Sequence, residues 1–185
     1  MGDWTDSLVD IIFKSSFMTL ATADTDGLPW ASPVEFACDE ALRFYWSSVI
    51  TARHSQNIRG NPRVALAIYD STQTPGVLGE VAGLYAEGSV EELGPSDLER
   101  VGPAIARWVS WRDAGRTTPR TQSEGRNAPD TPWRVYRVQP TQISALNPVQ
   151  SRERSVDWRV PVDLGESFAR AYHRRLEQER EAHRA

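Results

Sequence analysis

Between Phe17 and Ser48 the sequence keeps a period of two, and its interruptions fall on turn-forming residues. This pattern constrains the fold more than any other feature of the chain. FMTLATAD is broken by Thr25-Asp26-Gly27 before LPWASPVEFAC resumes extended character, which is the signature of a β-hairpin. A second turn at Asp39-Glu40 leads into the aromatic-rich LRFYWSS. Three consecutive antiparallel strands are therefore predicted.

The flanking segments complete the outline. Ahead of the first strand, Leu8, Val9, Ile12 and Phe13 recur at helical spacing over residues 6–15. After the third, ITARHSQNIRGNPR reads as a short helix with Thr51 as N-cap, Gly60 closing it in the left-handed conformation and Pro62 preventing continuation. RVALAIY, residues 63–69, is apolar on both faces and is expected to be buried on both. A TQTPGVLG linker precedes EVAGLYAEGSVEEL, a long strand whose Gly83 and Gly88 permit a bulge or a barrel bend. Pro95-Ser96 is expected to open a helix with Ser96 as N-cap and Glu99 completing a capping box, ahead of Ile105, Trp108 and Val109. Residues 112–132 read as a long polar loop. Strand character returns at WRVYRVQPTQISAL and again at VDWRVPVDL. The chain ends in a charged helix from Glu166 with Phe168, Tyr172 and Leu176 in a stripe. The sum is one domain over residues 1–185, with a core at 10–147 and a strand-and-helix extension at 148–185. Its class is mainly β with α: six to seven largely antiparallel strands in a closed or partly open barrel with short flanking helices.

Composition narrows the function. At 185 residues, 39 % hydrophobic and 25 % charged, the chain can bury a core without staples. Its apolar runs fall far short of the roughly 18 residues that cross a bilayer. Asp3 and Asp6 stand where a signal peptide carries basic residues, so a cytoplasmic protein with no membrane partner is expected. A net charge of −4 argues against a nucleic-acid partner. Cys38 is the only cysteine, and His54, His173 and His183 lack metal-ligand spacing, so no metal is expected. Every basic residue except Lys14 is arginine, the side chain whose planar fork best matches a phosphate.

Chemistry concentrates where LRFYWSS runs into the helix after Thr51. The unpaired N–H groups of a helix start bind anions. This start also carries Arg53 and His54, with Ser47, Ser48 and Thr51 as hydroxyl donors just before it. Asp24, Asp26, Glu35 and Asp39 read as turn and solvent-face carboxylates, and no GxSxG elbow is present. No acid–base pair stands out.

The sequence LATADTDGLPWASPVEF, followed by FYWSSVITARHSQNIRGNPRVALAIYD, by a glycine-punctuated strand ending EGSVEEL and by WRVYRVQPTQISAL, resembles the pyridoxamine 5′-phosphate oxidase-like FMN-binding split-barrel family. The resemblance implies that Trp30, Ala31, Ser32, Pro33 and Val34 line the flavin edge. It implies that Tyr45, Trp46, Ser47, Ser48, Thr51, Arg53 and His54 hold the ribityl phosphate. It further implies a homodimer with FMN at the subunit interface, and an oxidoreductase moving hydride or electrons between FMN and a small organic substrate. Glu35 stands near the point where vitamin B6 oxidases carry a lysine, and the chain ends differently from theirs. The likeness is accordingly to the broader branch, whose members use FMN or the deazaflavin coenzyme F-420, some of them binding haem. A deazaflavin-dependent reductase and a non-catalytic flavin- or haem-binding protein are the alternatives it leaves open.

Overall fold

The computed structural model describes residues 4–70, 83–101 and 131–182. Helix α1 (Thr5–Lys14) precedes strands β1 (Phe17–Ala23), β2 (Pro29–Glu35), β3 (Ala37–Cys38) and β4 (Phe44–Val49). Helix α2 (Arg53–Gly60) and strands β5 (Arg63–Tyr69), β6 (Gly83–Glu92) and β7 (Trp133–Leu146) follow. A short helix (Pro148–Arg154), strand β8 (Arg159–Pro161) and a C-terminal helix (Glu166–Ala182) complete the order. The strands form one antiparallel sheet in the order β2-β1-β5-β6-β7-β4-β3, with β8 also on β7. The result is the predicted split barrel.

Local chemistry sets the turns. Asp24 Oδ1 accepts from the backbone N–H of Asp26 (3.0 Å) and Leu28 (2.9 Å), while Gly27 supplies φ +84°. The β1–β2 hairpin then pairs in strict register from Phe17↔Glu35 to Ala23↔Pro29. In β6 the register shifts between Glu87 and Gly88, as the glycine predicts: a Cβ at Gly88 would lie 2.3 Å from the Gln139 carbonyl oxygen.

Alternate residues of the strands fill the barrel: Met18 and Leu20, Phe44 and Trp46, Leu66 and Ile68, Leu84 and Ala86, Tyr136 and Val138 are all buried. Leu8, Val9, Ile11, Ile12 and Phe13 of α1 join that core. The C-terminal helix adds Phe168, Ala171, Tyr172 and Leu176, the Phe13 and Tyr172 rings meeting edge-on at 5.3 Å. Cys38 is buried as a small hydrophobe.

Several boundaries differ from the sequence expectation. Ala52, not Thr51, occupies the N-cap of α2, because the chain turns one residue later than the hydroxyl pattern suggests. Gly60 is the last helical residue rather than a left-handed cap, Asn61 following with φ −144°. What Gly60 meets is the hairpin, since a Cβ there would stand 2.8 Å from Thr25 Cγ2. In β5 Val64, Leu66 and Ile68 are buried but Ala65 and Tyr69 are exposed, so within the single chain only one face is covered. Residues 95–101 are helical, and Asp97 rather than Glu99 closes the cap by accepting from the Gly94 N–H at 3.3 Å. Proline at the first helical position, with Gly94 ahead of it, displaces Ser96 from the cap. Residues 72–79, the stretch with Ile105, Trp108 and Val109, and nearly all of the 112–132 loop lie outside the described residues.

Candidate functional site

Helix α2 follows β4 directly, with the Ile50 N–H bonded to the Pro132 carbonyl at 2.8 Å and the Ala52 N–H to that of Val49 at 3.1 Å. Its buried residues are His54, Ser55, Asn57 and Ile58. That set is mostly polar, so α2 is fixed against the barrel chiefly through hydrogen bonds. Asn57 Nδ2 donates to Thr22 Oγ1 at 3.0 Å, and Thr22 Oγ1 donates to the Trp30 carbonyl at 3.3 Å. His54 Nδ1 lies 3.1 Å from Ser32 Oγ, and its Nε2 lies 2.8 Å from Ser48 Oγ. Burial pushes the imidazole below its ordinary value of 6.5, so the ring is neutral at pH 7.

Of the predicted phosphate ligands, Arg53 and Thr51 are exposed at the start of α2. The Arg53 guanidinium sits 4.5 Å from the centroid of the Trp30 ring, which is itself 41 % exposed. Among the described residues no carboxylate pairs with Arg53. Trp30 and Arg53, predicted on separate grounds, therefore meet at one place. Ala31 and Pro33 are exposed on β2, Ser32 is buried against His54, and Val34 belongs to the core. Ser47 is half-buried, and its Oγ is buried with no hydrogen-bond partner.

The remaining candidates are not gathered there. Tyr45 points to the opposite face of β4 from Ser48, and its hydroxyl donates to Asp39 Oδ2 at 3.0 Å. Burial and the Asp39 charge push that phenol up to about 12. Trp46 stacks on Tyr136, ring centroids 5.4 Å apart, inside the barrel. Ser48 and His54 are occupied with each other. Sequence reasoning missed Thr22, Asn57, Ser55 and Tyr136. The signal available for Asn57 was its i+3 spacing from His54, with Ile58 at i+4. Trp46 Nε1 is buried without a hydrogen-bond partner, Ser55 lies at the Tyr136 hydroxyl, and burial pushes the Tyr136 phenol up.

Chemically, this end of the barrel offers an exposed guanidinium, an exposed hydroxyl and a helix start to an anion, beside an exposed indole face. Among the described residues no group of three or more His, Cys, Asp or Glu could hold a metal ion. None of the helices there is long and apolar enough to cross a membrane.

Comparison with known proteins bears on this arrangement. No curated protein matches the sequence. Among solved structures, a heme-binding protein from Mycobacterium smegmatis superposes with TM-score 0.61 at 16 % identity, covering 91 % of this chain. The chain spans 61 % of that protein's length. A FAD-binding protein from Mesorhizobium loti gives 0.53 at 19 %, with 75 % of this chain and 91 % of that one covered. An F-420 reductase gives 0.51 at 21 %, covering 78 % and 98 %. These likenesses establish the split-barrel fold. The sequence model described as pyridoxamine 5′-phosphate oxidase matches residues 4–147, most of the chain and all of the barrel from α1 to the end of β7, so the chain belongs to the pyridoxamine 5′-phosphate oxidase family.

Proposed function

We propose that the protein is a homodimeric, FMN-dependent oxidoreductase that exchanges hydride or electrons between the flavin and a small organic substrate. The observation that carries the reading is the meeting of Arg53 and Trp30 at the start of α2, in a chain of this family. Arg53 and Thr51 would hold the ribityl phosphate. Exposed Ala31 and Pro33 leave the outer side of β2 open to a ring edge. When bound, the flavin supplies the redox chemistry. The chain's own residues bind its anionic end, orient it against β2 and, with a second copy, exclude water.

The purified protein is expected to be yellow, or to take up added FMN with a flavin visible spectrum. A colourless protein that takes up none overturns the reading. Arg53→Ala is expected to weaken FMN binding while leaving the fold intact, and unchanged affinity would place the phosphate elsewhere. Reduction by a nicotinamide donor followed by timed reoxidation with candidate acceptors separates an enzyme from a flavin store.

Coenzyme F-420 is the second reading, because its phosphate suits the same arginine and one structural neighbour is an F-420 reductase. Parallel titration with both cofactors decides between them. Haem is disfavoured: both His54 ring nitrogens face serine hydroxyls, and His173 Nε2 faces the Glu40 carboxylate.

A further inference from the structure

The sheet runs from β2 at one end to β4 and β3 at the other, and no backbone ladder joins β2 to β4 among the described residues. His54 spans that split, with Nδ1 3.1 Å from Ser32 Oγ on β2 and Nε2 2.8 Å from Ser48 Oγ on β4. One turn on, Asn57 ties α2 to Thr22 and, through it, to the Trp30 carbonyl. Buried imidazole, amide and hydroxyl groups are costly when unpaired, so this seam favours a single arrangement of the helix. Arg53 immediately precedes His54, and its guanidinium rests on Trp30, which lies on the same side of β2 as Ser32. Both contacts thus end on β2.

The geometry points to His54 as a positioning residue: it fixes the first turn of α2 across the split between β2 and β4, so that Arg53, held over Trp30, presents its donors to a phosphate. The inference rests on the flavin reading above and assigns His54 a place behind the phosphate ligand rather than among the ligands. Either neutral tautomer of the ring is satisfied, because each serine hydroxyl can donate or accept. The charged or titratable groups on the elements around it are Glu35 on β2, Tyr45 on β4, and Arg53 and Arg59 on α2. Tyr45 faces away, and the ring's two hydrogen bonds go to serines.

The test is a fluorescence titration of FMN and of riboflavin, which lacks the phosphate, against the wild type, His54→Phe, Arg53→Ala and the double variant. His54→Phe keeps the ring volume but removes both hydrogen bonds. It is expected to weaken FMN binding about tenfold, the order found when partners that orient a ligating group are removed. Riboflavin affinity is expected to stay constant, and the loss to vanish in the Arg53→Ala background. His54→Gln, which retains a donor and an acceptor, is expected to recover most of the affinity. An unchanged FMN affinity, an equal loss for riboflavin, or a full additive loss in the double variant overturns the assignment. If His54→Phe does not fold, Ser48→Ala removes the shorter bond alone and is judged by the same three criteria. FMN binding weakened by Arg53→Ala but by neither of the others overturns this inference and leaves the flavin reading standing. A wild type that binds no FMN overturns both.

Discussion

Asp39 shows how much one side chain can determine. Its Oδ1 accepts from the backbone N–H of Ala41 (3.1 Å) and Arg43 (3.0 Å), and its Oδ2 from Arg43 Nε (2.7 Å) and the Tyr45 hydroxyl (3.0 Å). Within this turn Leu42 takes φ 50° while fully buried, a conformation disfavoured for a branched side chain. Asp39→Ala is expected to cost about 3 kcal/mol in urea denaturation, since several bonds to a charged group go at once. The same substitution should lower the Tyr45 phenol from about 12, as read by ultraviolet titration. At Gly88, substitution by alanine forces a Cβ against the Gln139 carbonyl, and a loss of about 2 kcal/mol is expected in the same assay. His54 acts through pH. Its pKa is lowered by folding, so its contribution is fully present above 6.5 and is lost as pH falls below that value toward the folded pKa. Urea midpoints measured across that window should fall with acid in the wild type, and His54→Phe should lack this component. The turn role of Asp39 was legible from its neighbours in sequence. The partners of His54 were not, since Ser32 lies 22 positions away.

At the scale of elements, two kinds of attachment coexist. The C-terminal helix is held by apolar burial: Phe168, Tyr172 and Leu176 form the stripe that their spacing predicts, and Ala171 widens it. Its partner could not be read locally. The stripe packs on α1, and Arg174 and Arg175 form ion pairs with Asp6 at 2.7 Å and Asp10 at 3.2 Å across the two helices. Only part of the arginine set pairs along its own helix, as in Arg170 with Glu166 and Arg175 with Glu179. The Tyr172 hydroxyl donates to the Cys38 carbonyl at 2.7 Å, locking the helix to β3. Tyr172→Phe removes this buried bond and is expected to cost about 1 kcal/mol by thermal or urea unfolding. Helix α2 is the opposite case. Ile58 is the one apolar side chain in its buried set, and its polar residues look from sequence like a solvated surface helix.

For the whole molecule, the open face of β1, β2 and β5 carries the consequence. Ala21, Ala31 and Ala65 are aligned across the three strands and exposed, with Phe17 and Tyr69 exposed nearby at 56 % and 54 %. A contiguous apolar sheet face of this kind marks an interaction surface. The proposed homodimer would cover it, so Ala65→Glu is expected to yield a folded monomer by light scattering and to weaken flavin uptake with it. The sequence by itself determined the main strands, their antiparallel succession and the hairpin turn, because alternation and turn chemistry are properties of neighbouring residues; of the two glycines that permit a bulge or bend, the structure puts the register shift at Gly88. The sequence also singled out Arg53 and Trp30. That these two meet, that His54 bonds serines on both sides of a split, and that Tyr45 bonds the aspartate of a turn were decided only by tertiary structure. The curl of the sheet brings β2 and β4 to one helix, and which polar atoms are then buried together depends on distances that no local pattern encodes.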